Sequence, residues 1–378
     1  MNRITYGMVG GGPGSFIGDA HRRAINLDDS AELIAGCFSR SVEKSLQTAH
    51  SLGISEDRCY SSYTEMATIE SNRNDGIDFV VVVTPNASHY SVCKAFLEAG
   101  IHVVCDKPLC LKVEEAEELS SLAENKKLLF MVTYTYMGHV TAKHIRSMVS
   151  QGKIGKIRTV MAEYPQGWLA YPGECGGKQG QWRCDPEQSG GVNCLGDLGT
   201  HIENAVSTMT GLKIKRVLAK MDKVVPGRVL DDSDFVMVEY EGGGSGCYWA
   251  SQFAIGHDND LRIRIYGENG TIIWSQESCE KVTMIERDGT IVELHRGHSG
   301  IDSKASSYVR LPSGHTEGWY ESMANLYRSF TYCLSAKKDG SFTEELIDYP
   351  TVKDGMDGIK FIHACLKSNA QGNIWVEV

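Results

Sequence analysis

"YGMVGGGPGSFIG", residues 6–18, sets an apolar run against a cluster of glycines with one proline and then returns at once to apolar residues. Gly10, Gly12 and Ser15 take the three places of a G-x-G-x-x-[G/A] pattern, with a strand-like run before them and a helix-like run after. In that setting the first glycine makes the tight turn and the second lets the main chain approach a pyrophosphate. The third place takes a small residue where the helix packs on the strand. The helix amino terminus then offers unpaired N–H groups to the anion. Dinucleotide contacts are therefore expected along Gly10, Gly12, Pro13, Gly14, Ser15, Phe16 and Ile17. An ordinary strand-to-helix turn would use the same glycines, so the choice rests on what surrounds them.

Moving outward, the first third of the chain alternates short apolar runs with helical periodicity, the pattern of a parallel sheet covered by helices. Strands are predicted at about 4–9, 32–38, 78–83, 102–105 and 128–132, with helices near 17–27, 41–52, 87–99 and 112–125. "DFVVVV" at 78–83 is a β-branched run without polar alternation, as a central strand buried on both faces should be. After about residue 156 alternating strands meet at Asn269-Gly270 and Asp288-Gly289, both hairpin signals of an antiparallel sheet. Helical stretches at about 318–337 and 351–368 are expected to cover one face or to pack back on the first domain. The expected fold class is α/β plus α+β. An N-terminal Rossmann dinucleotide-binding domain would span 1–133, and an open antiparallel-sheet domain for substrate binding and oligomerisation would span 134–378.

Length and composition agree with two domains, because 378 residues exceed the size at which one core usually stops growing. Apolar residues make up 42% and charged residues 23%, and no apolar run approaches the ~20 residues that span a bilayer, so no membrane partner is expected. A net charge of −10 without a Lys/Arg cluster argues against a nucleic-acid partner. The amino end lacks a basic n-region and apolar h-region, which points to a cytoplasmic protein. Of the twelve cysteines none forms a C-x-x-C pair, and Cys37, Cys93, Cys105 and Cys365 lie in apolar runs, so reduced core thiols are expected. Cys175, Cys184, Cys194 and His201 match no common zinc spacing, and no metal site is expected.

Two further stretches fall just beyond strand ends, where parallel sheets bind ligands: "TPNASH" at 84–89 and "CDKPL" at 105–109. A third, "GDLGTHIEN" at 196–204, sets Asp197 and His201 four apart, on one face of a helix. With these motifs the chain resembles, over essentially its whole length, the Gfo/Idh/MocA oxidoreductases. The family's Glu-Lys-Pro appears as Asp106-Lys107-Pro108, its acid shorter by one methylene, and its Asp-x-x-x-His pair as Asp197 and His201. The resemblance implies a nicotinamide-dependent dehydrogenase in which Lys107, Asp197 and His201 are catalytic. Oxidising a secondary alcohol needs a base for the hydroxyl proton, which His201 suits. It also needs a cation near the developing alkoxide, which Lys107 supplies, while Asp197 holds an adjacent hydroxyl or orients Lys107. Thr84, Pro85, Asn86 and His89 resemble the loop beside the nicotinamide ribose, with Asp106, Lys107 and Pro108 next to it; His89 as a plain helix-start residue is the alternative. Where the second strand usually ends in an acidic ribose ligand this chain has Ser39 and Arg40, so NADP is permitted while NAD is favoured by resemblance.

The segment 164–193 is long for a loop and carries Trp168, Tyr171, Gln179, Trp182 and Arg183 among glycines. Aromatic faces with amides and a guanidinium suit a carbohydrate ring. By resemblance Tyr134 and Tyr136, with His139, follow the strand at 128–132 toward the substrate, and His315 approaches it while Glu317 starts a helix. The expected substrate is a sugar, glycoside, anhydrosugar or cyclitol hydroxyl, the resembled branch suggesting C3 of a pyranoside. Two alternatives stand beside it: tightly held NAD used for transient oxidation in glycoside cleavage or transhydrogenation, and a non-catalytic dinucleotide-binding regulator. A homodimer or homotetramer is expected by resemblance.

Overall fold

The computed structural model describes residues 3–378, the side chains of residues 178 and 179 excepted. The chain divides into two compact units, one comprising the chain up to Thr135 with Met323–Met356, the other Tyr136–Ser322 with Asp357–Val378.

The first unit is built on five parallel strands: β1 (Thr5–Gly10), β2 (Glu32–Cys37), β3 (Phe79–Val83), β4 (His102–Cys105) and β5 (Phe130–Val132). Their order, β2-β1-β3-β4-β5, places β3 between two neighbours, and all of its residues are buried, as its unbroken Phe-Val run requires. Helices Phe16–Leu27, Val42–Ser51, His89–Glu98 and Val113–Asn125 form where predicted. A fifth helix, Tyr63–Asn72, was not expected. It hides from an apolar pattern because a charged residue sits on its buried face: the Glu70 carboxylate accepts from Arg58, from the Tyr60 hydroxyl at 2.6 Å and from the Ile77 amide at 3.1 Å. The core around β3 is aromatic, with Tyr6 stacked on Phe79 at 5.4 Å and Phe330 edge-on to Phe79 at 5.3 Å.

The second unit carries nine strands: β6 (Ile157–Pro165), β7 (Ile214–Asp222), β8 (Ser233–Tyr240), β9 (Ser245–Ser251), β10 (Arg262–Gly267), β11 (Gly270–Ser275), β12 (Lys281–Glu286), β13 (Ile291–His295) and β14 (Val376–Glu377). They lie in the order β13-β12-β11-β10-β6-β9-β8-β7-β14. Both expected hairpins form, β10 with β11 and β12 with β13. The sheet is mostly antiparallel, with one exception: β6 and β9 run parallel. Side-chain alternation reports which face of a strand is buried, not which way the chain runs, so this pair was not readable from the pattern. One face of β8 is buried while Phe235 and Met237 on the other are 48% and 52% exposed.

Candidate active site

In the first unit the glycine stretch forms a bare main-chain cradle. Gly10, Gly11 and Gly14 adopt φ of 88°, 75° and 71°, a region open to glycine and strained for most other residues. A Cβ on Gly12 would stand 2.8 Å from the Phe38 carbonyl oxygen, so the second place of the motif has no room for a side chain. Ser15 plays a different part from the packing expected of it: its hydroxyl caps the helix Phe16–Leu27 by accepting from the Gly18 amide at 3.2 Å. The close packing falls at Gly18, whose Cβ would lie 2.4 Å from the Gly11 Cα. Arg22 donates to the Gly11 carbonyl at 3.0 Å and ties the loop to the helix. Pro13, Gly14 and Phe16 are exposed beside the cradle, with Ile17 half-buried. At the end of β2 the Ser39 hydroxyl accepts from the Ser41 amide at 3.2 Å, and Arg40 is exposed.

Beyond β3 and β4 the two motif loops are joined by one imidazole. His89 is buried, with Nδ1 2.8 Å from the Pro108 carbonyl oxygen and Nε2 2.8 Å from that of Thr84. Both neighbours only accept, so the neutral ring satisfies one and the imidazolium both. Burial nevertheless holds its pKa below the usual histidine range, with the Pro108 contact opposing. His89 thus fastens Thr84-Pro85-Asn86 to the turn that carries Lys107, a structural part that goes beyond a helix-start residue. The Lys107-Pro108 peptide is cis. The shortened acid keeps a defined place: Asp106 Oδ1 accepts from the Lys107 amide and the Thr133 hydroxyl, each at 2.9 Å. Lys107 is half-buried, and Tyr134, just past Thr133, is buried.

The second unit gathers most of the expected substrate residues. Asp197 lies in a π-helical turn, Leu195–Gly199, that runs straight into the helix Thr200–Thr210 bearing His201. Such widened turns often occur at functional sites. Arg183 Nε donates to Asp197 at 3.0 Å, and its guanidinium lies over Trp182 at 4.4 Å and Trp168 at 5.8 Å. Gln252 reaches the same carboxylate oxygen at 3.4 Å. The His201 ring is 4.8 Å from Tyr136 and 5.9 Å from Tyr164, centre to centre. The two tyrosine hydroxyls bond to each other, and burial, with the Asp197 charge adding to it, raises the pKa of both. The chain of contacts continues through Asn259, the Gln166 amide at 2.7 Å from it, and the Trp168 indole at 2.8 Å from Gln166. Tyr164 and Gln166 at the end of β6, Gln252 just past β9 and Asn259 before β10 were missed in the sequence because the three stretches are far apart in the chain. Asn259 sits 93 residues from Gln166, and no local spacing joins them.

Some expectations fall elsewhere. The Gln179 side chain lies outside the described residues. His315 is exposed, held through its carbonyl by Arg296. Glu317 does not start a helix: it is buried, accepting from Arg296 at 2.9 Å and from the Arg310 and Leu311 amides at 2.8 and 2.7 Å, and the helix begins at Trp319. Cys37, Cys93, Cys105 and Cys365 are buried free thiols as expected, but Cys175 and Cys184 are joined in a disulfide. The reading of reduced cysteines fails there because these two lie in the glycine-rich segment, away from any core. Cys194 stands apart from them, beside Asp231 and Asp234.

A main-chain cradle for a pyrophosphate in one unit, and an acid–imidazole pair among aromatic and amide groups in the other, are the parts of a nicotinamide-dependent oxidoreductase. Residues 4–134 match the family described as "Oxidoreductase family, NAD-binding Rossmann fold", and residues 142–273 match "GFO/IDH/MocA C-terminal domain". The chain belongs to the Gfo/Idh/MocA family and is an NAD-dependent oxidoreductase, related to sugar and cyclitol dehydrogenases. It is 36% identical to an uncharacterized oxidoreductase, YfiI, of Bacillus subtilis over 99% of this chain and 96% of that protein. It is 25% identical to levoglucosan dehydrogenase of Pseudarthrobacter phenanthrenivorans over 75% and 76% of the two chains. Among solved structures, the inositol dehydrogenase homolog of Azotobacter vinelandii complexed with NAD+ superposes with a TM-score of 0.95 at 34% identity, covering 100% of this chain and 97% of that one. The same protein complexed with NADH and myo-inositol gives 0.93 at 33% identity, covering 100% and 98%.

Proposed function

We propose that the protein oxidises a secondary hydroxyl of a cyclitol, sugar, anhydrosugar or glycoside. When bound, NAD supplies the hydride acceptor. The observation that carries the reading is the polar cluster of the second unit: one carboxylate, one imidazole, three side-chain amides and two joined phenols, with Trp168 and Trp182 against the Arg183 that pairs with the carboxylate. Such a surface offers both donors and acceptors to several hydroxyls at once, which a polyol requires and an apolar alcohol does not. Support comes from the Azotobacter vinelandii relative, solved with myo-inositol.

In this reading Asp197, paired with Arg183, accepts from a hydroxyl next to the reacting one. His201 takes the proton of the reacting hydroxyl through a ring nitrogen. Lys107 donates to the same oxygen and stabilises the negative charge that grows as the C–H bond breaks. The cradle of Gly10, Gly12 and Gly14, with the amide ends of the helix at Phe16, holds the pyrophosphate, while Ser39 and Arg40 face the adenosine ribose. Thr84, Pro85, Asn86 and the Asp106-Lys107-Pro108 turn, fixed by His89, border the nicotinamide end.

The test is reduction of NAD and, separately, NADP by the purified protein against inositols, free hexoses, anhydrosugars and glucosides, followed by absorbance of the reduced nicotinamide. Turnover with one polyol class, abolished in Lys107→Ala with the NAD dissociation constant unchanged, supports the reading. Measurable NAD binding without turnover on any of these classes refutes it.

A further inference from the structure

The disulfide Cys175–Cys184 closes a loop of sequence separation 9, and the residue immediately before Cys184 is Arg183, the partner of Asp197. The segment is also held by Arg228 at its start and by the Arg183–Asp197 pair at its end, while its middle lies at the surface. No residue of the short helix Pro172–Gly176 is buried, and a Cβ added to Gly173 or Gly176 would meet no atom within 4 Å. Both sulfurs belong to half-buried residues. A cation lies against them: the Arg228 guanidinium contacts Cys175 Sγ directly and Cys184 Sγ at 3.5 Å, while a second guanidinium nitrogen donates to the carbonyls of Leu169 and Tyr171 at 2.6 and 3.2 Å. An arginine beside a sulfur favours the thiolate, and a stabilised thiolate leaves a disulfide readily.

We propose that Cys175 and Cys184 are a redox-active pair, and that reducing it releases the segment that presents Trp182 and Arg183 to Asp197. An external thiolate, from glutathione or a protein dithiol, attacks Cys184 Sγ. The S–S bond breaks, Cys175 leaves as a thiolate beside Arg228, and a mixed disulfide forms at Cys184. A second thiol of the reductant resolves it, so the reductant is oxidised to its own disulfide and the pair gains two electrons and two protons. Opening the staple restores chain freedom to the loop. The Arg183–Asp197 ion pair then competes with that freedom and with water. In the oxidised protein Arg183 is held in place; in the reduced protein it is not. The kinetic consequence rests on the function proposed above: substrate affinity falls and NAD affinity does not.

The experiment follows the structural change and the kinetics separately. The protein is equilibrated with glutathione and glutathione disulfide in varied ratio, free thiols are blocked with a maleimide, and the adducts are counted by intact mass and mapped by peptide. Hydrogen exchange over 165–193 is measured in the oxidised form, in the dithiothreitol-reduced form and in Cys175→Ser/Cys184→Ser. The KM for myo-inositol and for NAD is measured on the same samples. Expected are a two-electron titration mapped to Cys175 and Cys184, faster exchange over 171–185 in the reduced and double-serine forms, and a KM for the polyol several-fold higher with that for NAD unmoved. Reduction by dithiothreitol is expected to be several-fold slower in Arg228→Gln and near wild type in Arg228→Lys. Failure of the pair to oxidise in excess glutathione disulfide, or identical exchange in the two verified redox forms, overturns the proposal. If no polyol is oxidised, the function proposed above fails, while the exchange data still decide whether the staple works.

Discussion

Gly18→Ala tests whether the helix-to-loop contact, and not the signature glycines alone, shapes the dinucleotide cradle. The new methyl would lie 2.4 Å from the Gly11 Cα, a main-chain atom with no flexible end to swing aside. Carbon atoms pack at about 3.5 Å or more, so loop and helix must part by about 1 Å. Overpacking of this kind costs about 1–3 kcal/mol of stability. The same shift misaligns the amides that face the pyrophosphate. Loss of one hydrogen bond to a charged group costs about 1.5–3 kcal/mol, which is roughly a 10- to 150-fold rise in the NAD dissociation constant. Titration calorimetry with NAD, alongside thermal unfolding, measures both effects. Gly173→Ala, where the added Cβ meets nothing, serves as the control and is expected to leave both unchanged. Wild-type NAD affinity in Gly18→Ala would refute the reasoning, because it would mean that the cradle tolerates displacement of its helix.

Asp197→Asn keeps the shape of the side chain but removes the charge that Arg183 pairs with, and kcat/KM for the polyol is expected to fall about 100-fold or more with NAD binding intact. Arg40→Glu places a negative charge at the end of β2, so any turnover with NADP is expected to fall at least tenfold relative to NAD; an unchanged ratio removes Arg40 from cofactor choice. Burial lowers the pKa of His21, His102 and His139 each to about 4 from 6.5. The unfolded chain therefore binds these protons first, and stability falls as pH drops from about 6.5 to about 4, by up to roughly 3 kcal/mol per histidine. Thermal unfolding across that range should show a shallower fall in His139→Phe than in the wild type, and parallel curves would exclude the effect. The exposed Phe235 and Met237 on β8 mark the sheet face expected to bind a second copy, so Phe235→Glu/Met237→Glu should lower the mass seen by analytical ultracentrifugation; an unchanged mass points to another surface.

Much of the first unit was decided by local sequence. The Phe-Val run of β3, the glycines before Phe16 and the motifs ending at His89 and Pro108 are short-range patterns: burial on both faces, positive φ and a turn each leave their mark within a few residues. The spacing of Asp197 and His201, four residues apart, is a short-range pattern of the same kind. What tertiary structure alone decided comes from residues far apart in the chain. The parallel pairing of β6 with β9, the helix hidden by buried Glu70, and the Tyr136–Tyr164–Asn259–Gln166 network each depend on partners that no period or spacing records. So does the fastening of Thr84 to Pro108 by His89, where the sequence shows a histidine at a helix start and only the fold brings two carbonyls to its ring. The disulfide is the plainest case, because cysteine spacing does not state which thiols meet; the path of the glycine-rich segment brings Cys175 to Cys184 and sets Arg183 against Asp197.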